Sequence, residues 1–198
     1  MGQLIEKEAE ELLEKEGFDI AKRAFVVDKK ELVGIIGRIK FPWVMKVCSR
    51  KIVHKARIGG IKLNILNLAE AEKAFDSLKK IENFEGVLIQ ETLKGEELII
   101  GLKKTDEFSF VLMLGKGGTK VEEEKRVAFR VLPVSEKDIK EMIEETGLCV
   151  KFSQIVKIIE KVYRLAEKYV KINEFEINPL FVNEKGAVVA DARFLFED

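Results

Sequence analysis

The chain has 198 residues, enough for one domain or two tightly joined lobes with a real core. Its 35 basic and 35 acidic side chains cancel, which removes any global field favouring nucleic acid or an anionic membrane. Neither a signal peptide nor an apolar run long enough to span a bilayer is present, so a soluble, cytoplasmic protein is expected. The charged residues are rich in Lys and Glu, a mix that fits a thermophile's surface. Cys48 and Cys149 lack metal or redox spacing, which suits a reducing interior.

Residues 4–16 read as an amphipathic helix, with Leu4, Ile5, Ala9, Leu12 and Leu13 on one face and Gly17 at its end. A short strand over 24–27 leads to Asp28-Lys29-Lys30-Glu31, a capping-box-like start for a helix through about Arg38. After Phe41-Pro42, residues 43–48 read as a strand, residues 49–60 as a basic loop, and residues 61–66 as a strand again. Asn67 caps a helix to about Ile81, and residues 83–86 break the chain before a strand over 87–91. Strands over 97–102 and 108–114 precede Gly115-Lys116-Gly117-Gly118, and 127–132 reads as another. Ser135 starts a helix that Gly147 ends, and a longer helix runs from about Ser153 to Val170. Early alternation of helix and strand, followed by an antiparallel-rich half, predicts an α+β fold of two lobes with a cleft between them. The division is expected near residue 86, giving lobes 1–86 and 87–198.

The last quarter is the most informative. Residues 175–180 and 189–193 alternate polar with apolar, as half-buried strands do, and Asn183-Glu184-Lys185-Gly186 supplies a turn between them. If those four residues form the loop, Val182 faces Ala187, Asn178 faces Asp191 and Glu176 faces Arg193. Directly opposed side chains have Cβ atoms about 4.5–5.5 Å apart, so one sheet face would carry all four polar residues. An Asn–Asp oxygen pair suits Mg²⁺ completed by substrate phosphates. A solvent-facing polar ladder is the alternative.

Three further features ask for chemistry. Lys46 lies in the otherwise apolar run Val44-Met45-Lys46-Val47-Cys48, where an unpaired ammonium is costly and a phosphate would compensate it. An edge-strand lysine that discourages aggregation is the other reading. His54, the sole histidine, lies among Arg50, Lys51, Lys55 and Arg57 and just before Gly59-Gly60. Cations and glycine N–H groups suit phosphate oxygens, and a neutral imidazole can accept a phosphoryl group, although a lone loop histidine is often incidental. The Gly115–Gly118 run lacks the P-loop spacing, and no Gly-x-Gly-x-x-Gly fingerprint follows a strand. Glu97 either accepts from ribose hydroxyls or sits at a solvated strand end.

In order, the chain reads Phe41-Pro42-x-Val44-x-Lys46, His54-Lys55-x-x-x-Gly59-Gly60, Val87-Leu88-x-Gln90-Glu91 and Glu97-Leu98-Ile99-x-Gly101. Gly115-x-Gly117-Gly118, Val127-Ala128-Phe129-Arg130, Glu176-x-Asn178-Pro179-Leu180 and Asp191-Ala192-Arg193 complete the series. This succession resembles the ATP-grasp subunit of ADP-forming acetyl-CoA synthetases, and succinyl-CoA synthetase is similar in the terminal hairpin. The resemblance implies an ATP-grasp fold with nucleotide held between its lobes. It also implies Mg²⁺ and ATP or ADP as cofactors, and a CoA-binding alpha subunit as partner, in a heterotetramer. Lys46 would contact phosphates near the Gly59-Gly60 loop, Gln90-Glu91 would form the adenine hinge, and Glu97 would meet the ribose. Asn178 and Asp191 would hold Mg²⁺, Glu176 would stabilise a phosphohistidine, and His54 would carry the phosphoryl group to ADP. The chain departs from the family at Ala56, Arg57, Asn64, Lys116 and Arg126, which keeps a diverged, non-catalytic paralogue open. A carboxylate–amine ligase using the same grasp is the second rival, and it would not need His54.

Overall fold

The computed structural model describes residues 2–52, 55–118 and 126–197. The chain divides into two compact units, one of Met1–Ile20 with Lys94–Asp198 and one of Ala21–Leu93. This differs from the single boundary expected near residue 86. Gly86–Glu91 is a central strand of the smaller unit's sheet, so the chain cannot leave that unit before it. The first residues instead supply two short strands and a helix to the larger unit.

In the smaller unit, β3 (Arg23–Val26), β6 (Gly86–Glu91), β4 (Trp43–Cys48) and β5 (Ile61–Ile65) form an antiparallel sheet in that order. Alternation divides β4 cleanly: Trp43, Met45 and Val47 enter the core, while Val44, Lys46 and Cys48 point to the opposite face. Helix α2 (Leu68–Leu78) covers the core face with Ala71, Ala74, Phe75 and Leu78. Its N-terminus is capped by Asn67, whose side chain accepts from Glu70 N–H at 3.0 Å. The helix expected over 28–38 is a 3-10 helix, Lys29–Ile35, after a capping box at Asp28. Gly34 and the left-handed Gly37 (φ 88°) interrupt the stretch and keep a longer α-helix from propagating. Asn64, a departure from the family pattern, takes φ 55°, a conformation that asparagine tolerates better than most side chains.

In the larger unit the sheet runs β1 (Gly2–Gln3), β12 (Ala192–Phe196), β10 (Ile172–Asn183), β7 (Glu96–Lys103), β8 (Val111–Lys116) and β9 (Val127–Val131). Strand β11 (Gly186–Val189) pairs with the far half of β10, and β2 (Asp19–Ile20) runs parallel to β11. Helices α1 (Glu6–Lys15), α3 (Glu136–Thr146) and α4 (Phe152–Lys168) pack with this sheet. Their apolar stripes, including Leu13, Met142, Ile155, Ile159 and Val162, join Leu98, Ile100, Leu102, Leu112, Leu114, Phe175 and Phe194 in one core. Residues alternating with these point the other way. Gly101, Met113 and Phe129 form one cross-strand row with Glu176 and Arg193, and Phe129 stays 54% exposed.

Candidate active site

The turn register predicted for the C-terminal hairpin is the one observed. Val182 pairs with Ala187, Leu180 with Val189, Ile177 with Ala192 and Glu176 with Arg193. Between the two ladders, Asn178 N–H donates to the Asp191 carbonyl at 3.0 Å, which sets Asn178 opposite Asp191. On its other edge β10 slips register against β7 between Ile177 and Leu180. Pro179 lacks a backbone N–H to continue a ladder, and a bulge of this kind re-aims the neighbouring side chain. The Asn178 amide oxygen accepts from Gly118 N–H at 2.8 Å.

That contact brings in the glycine run after β8. Gly117 N–H donates to the Glu97 carbonyl at 2.7 Å. A Cβ on Gly117 would meet the Leu98 carbonyl at 2.3 Å, and one on Gly118 would lie 2.1 Å from Glu97 Oε2. Gly118 also has φ 90°, so only glycine fits. Read alone, Gly115–Gly118 is a weak signal. In the fold it lies against Glu97 and Asn178, two residues expected at the site. No sequence spacing links Gly118 to Asn178, because the contact spans 60 positions.

In the smaller unit, Lys46 and Gln90 share the sheet face opposite the core. Val44 pairs with Gln90 and Lys46 with Leu88, so Lys46 and Gln90 are diagonal neighbours on adjacent strands. Both are buried, at 5% and 2% exposure. Glu91 accepts from Lys22 N–H at 3.1 Å, and Thr92 binds the Pro42 carbonyl through its N–H and hydroxyl, which anchors the segment after β6. In the basic loop, Gly60 N–H donates to the Lys55 carbonyl at 2.8 Å and its carbonyl accepts from Val47 N–H. A Cβ there would meet Val47 Cγ1 at 2.6 Å, so the glycine is explained by close backbone packing. Gly59 takes a left-handed φ of 67°. His54 lies outside the described residues.

The donor set fits the expected groups. Among the described residues no cluster of three or more His, Cys, Asp or Glu forms a self-sufficient metal cage. A carboxylate facing an amide oxygen matches Mg²⁺, which keeps water and phosphate in most of its coordination positions. The Asn178 oxygen has a second lone pair beyond the one that accepts from Gly118. The buried Lys46 supplies positive charge suited to a phosphate.

A carboxylate facing an amide oxygen on the larger sheet and a buried lysine on the smaller one agree with the ATP-grasp fold that the sequence resembles. A family model described as the ATP-grasp domain matches residues 1–195. The beta subunit of ADP-forming acetate–CoA ligase I from Pyrococcus furiosus is 35% identical over 211 residues, covering 97% of this chain and 91% of the relative. ADP-forming acetate–CoA ligase II from Archaeoglobus fulgidus is 39% identical over 203 residues. The match covers 97% of this chain but only 30% of that longer relative, so the chain corresponds to a part of it. Among solved structures, acetyl-coenzyme A synthetase 1 of Ca. Korarchaeum cryptofilum, with coenzyme A and Ca-AMPCP, superposes with a TM-score of 0.86 at 32% identity. It covers 98% of this chain and 93% of that one. The same synthetase with Mg-AMPPCP has its phosphohistidine segment pointing towards the nucleotide binding site (TM-score 0.78, 30% identity, 98% of this chain and 93% of that one). The chain belongs to the ATP-grasp family. Within that family it is a beta-subunit-like component of the ADP-forming acetyl-CoA synthetases.

Proposed function

We propose that this chain is the nucleotide-binding component of an ADP-forming acyl-CoA synthetase. It would pass a phosphoryl group from a CoA-binding alpha subunit, through phosphohistidine, to ADP. The observation that carries the reading is the polar face of β10 and β12. Glu176 and Asn178 alternate along β10 there, and Asn178 stands opposite Asp191, the residue before β12, in a chain that spans 91% of a ligase beta subunit.

The smaller unit would contribute Lys46 to the phosphates, Gln90 and Glu91 to the base, and Gly59 and Gly60 to the phosphate-facing loop. The larger unit would contribute Glu97 to the ribose and Asn178 and Asp191 to the cation. Bound Mg²⁺ would neutralise phosphate charge and align the reacting oxygens. Glu176 would accept a hydrogen bond from the imidazole N–H of a phosphohistidine and hold the ring in line. In the transfer, the nitrogen–phosphorus bond breaks as a β-phosphate oxygen of ADP forms its bond to phosphorus. The phosphorus-bearing nitrogen keeps the electron pair of the broken bond, and with its other nitrogen still carrying the N–H that faces Glu176 the imidazole is left neutral. His54 would serve as the carrier between the partner's histidine and ADP, with Arg50, Lys51, Lys55 and Arg57 neutralising the travelling charge. The assembly would be a cytoplasmic heterotetramer.

The test is reconstitution with a CoA-binding alpha subunit and assay of ATP formation from acetyl-CoA, ADP and phosphate. The chain alone should bind Mg–ADP yet make no ATP. His54→Ala should abolish ATP formation by the complex and leave Mg–ADP affinity within about twofold, since carrier and ligand sites are separate groups. Full turnover by His54→Ala would end the shuttle reading and favour a nucleotide-binding lobe with an incidental loop histidine.

A further inference from the structure

The polar face of the larger sheet holds a pair of residues with no part in the roles above. Glu174 precedes Glu176 by two positions on β10, so both side chains stand on one face. Arg193 on β12 is the register partner of Glu176, and its Nη2 donates to Glu174 Oε1. Arg193 therefore stands between two carboxylates, bonded to one and directly across from the other. The pair is part-buried, with side-chain exposures of 37% for Arg193 and 28% for Glu174. As a stability device a pair this exposed contributes little. Its position argues for more. Glu174 and Glu176 stand on this face and Asp191 follows opposite Asn178, so a phosphoryl group brought to Glu176 arrives beside carboxylates. A guanidinium cannot lose its proton, and its planar fork can serve one carboxylate along one edge while presenting other N–H groups to a neighbour.

We propose that Arg193 is a positioning residue for phosphoryl transfer, anchored by Glu174. Its guanidinium orients the Glu176 carboxylate across the strand pair and offsets the negative charge of the face on which phosphate lands. The inference rests on the role given to Glu176 above.

The experiment uses the chain reconstituted with its CoA-binding partner, and measures kcat for ATP formation and Kd for Mg–ADP separately. Arg193→Ala should lower kcat about 10–100-fold, the range for residues that orient a functional group, with Kd within about twofold. Arg193→Lys, which keeps the charge and loses the fork, should recover part of the rate. Glu174→Ala should lower kcat less. The double variant Glu174→Ala/Arg193→Ala should be no worse than Arg193→Ala, because Glu174 acts only through Arg193. Glu176→Gln is the control. An unchanged kcat there overturns the role of Glu176 itself. A collapsed kcat in Glu176→Gln, with wild-type kcat in both Arg193→Ala and Glu174→Ala, overturns the present inference alone. If Arg193→Ala does not fold, Arg193→Lys and Glu174→Ala carry the test, and wild-type kcat in both defeats it. Equal loss of kcat and Mg–ADP affinity would mark the pair as structural and defeat it as well.

Discussion

Gly118 shows how tightly the candidate site is built at the level of single residues. It combines a left-handed φ, a position where any Cβ would strike the Glu97 carboxylate, and an N–H held by the Asn178 side chain. Gly118→Ala should therefore cost about 1–3 kcal/mol of backbone strain and disturb the Asn178 amide. We expect a weaker Mg–ADP affinity by isothermal titration, and an unaltered value would separate the glycine from the site. Asp191→Asn is the gentler change, nearly isosteric but without the charge that opposes a cation. It should raise the Mg–ADP Kd about tenfold or more with the fold intact, and Asn178→Ala should do so less. Unchanged affinity in both would reduce the hairpin pair to a surface ladder. The facing of Asn178 and Asp191 is legible in the sequence because a turn of known length fixes every pair counted outward from it. The Gly118–Asn178 bond is not legible, since nothing local brings residues 60 positions apart together. Pro179 within a strand did carry a readable sign of a bulge beside the site.

Among the elements, those with complete local signals emerged as expected, and those dependent on distant partners did not. Strand 43–48 is a short, largely apolar run bounded by turn residues, and its limits match the sequence reading. Strands β1 and β2, two residues each, carry no pattern of their own and exist only because β12 and β11 offer an edge. The Asn67 cap of α2 is a local signal with a measurable consequence. Asn67→Ala leaves Glu70 N–H without its acceptor and should destabilise the smaller unit by about 1 kcal/mol in urea titration. A second element-level prediction concerns the end of α1. The Glu16 carboxyl is held below the usual carboxylate range, first by the Lys168 ammonium and then by the Tyr169 hydroxyl, each at 2.7 Å. A depressed carboxylate contributes stability that is present above the ordinary Glu range, about pH 4.3, and is lost as pH falls through its folded value. Glu16→Gln should lower stability at neutral pH and flatten the decline below about pH 4.3. A pH–stability curve of unchanged shape in that variant would refute this.

At the scale of the whole molecule, the described residues form two hydrophobic cores, one in each compact unit. Trp43, the sole tryptophan, is fully buried in the smaller core, stacked 4.1 Å from Phe41 and bonded through Nε1 to the Ile39 carbonyl. Its fluorescence therefore reports that core, whereas the long helices α3 and α4 lie in the larger unit and contribute strongly to dichroism at 222 nm. We expect the two signals to give different urea midpoints, with Asn67→Ala moving the fluorescence midpoint more; coincident curves for every variant would show a single cooperative unit. The order of elements was readable from the sequence, but the return of residues 1–20 to the larger unit was not, because two-residue strands leave no periodic trace. That return has a consequence for how the protein is made. Synthesis runs from N- to C-terminus, and Gly2 and Gln3 pair with Phe196 and Leu195. Residues 2–3 thus wait for their sheet partners until residue 196 has been made, while residues 21–93 contain every strand of the smaller sheet. The smaller unit is thus expected to fold during translation before the larger one, whose sheet is complete only once residue 196 has emerged. A chain truncated after Leu93 should already protect Trp43 from solvent, and quenching of its fluorescence by iodide in that fragment is the measurement that decides it.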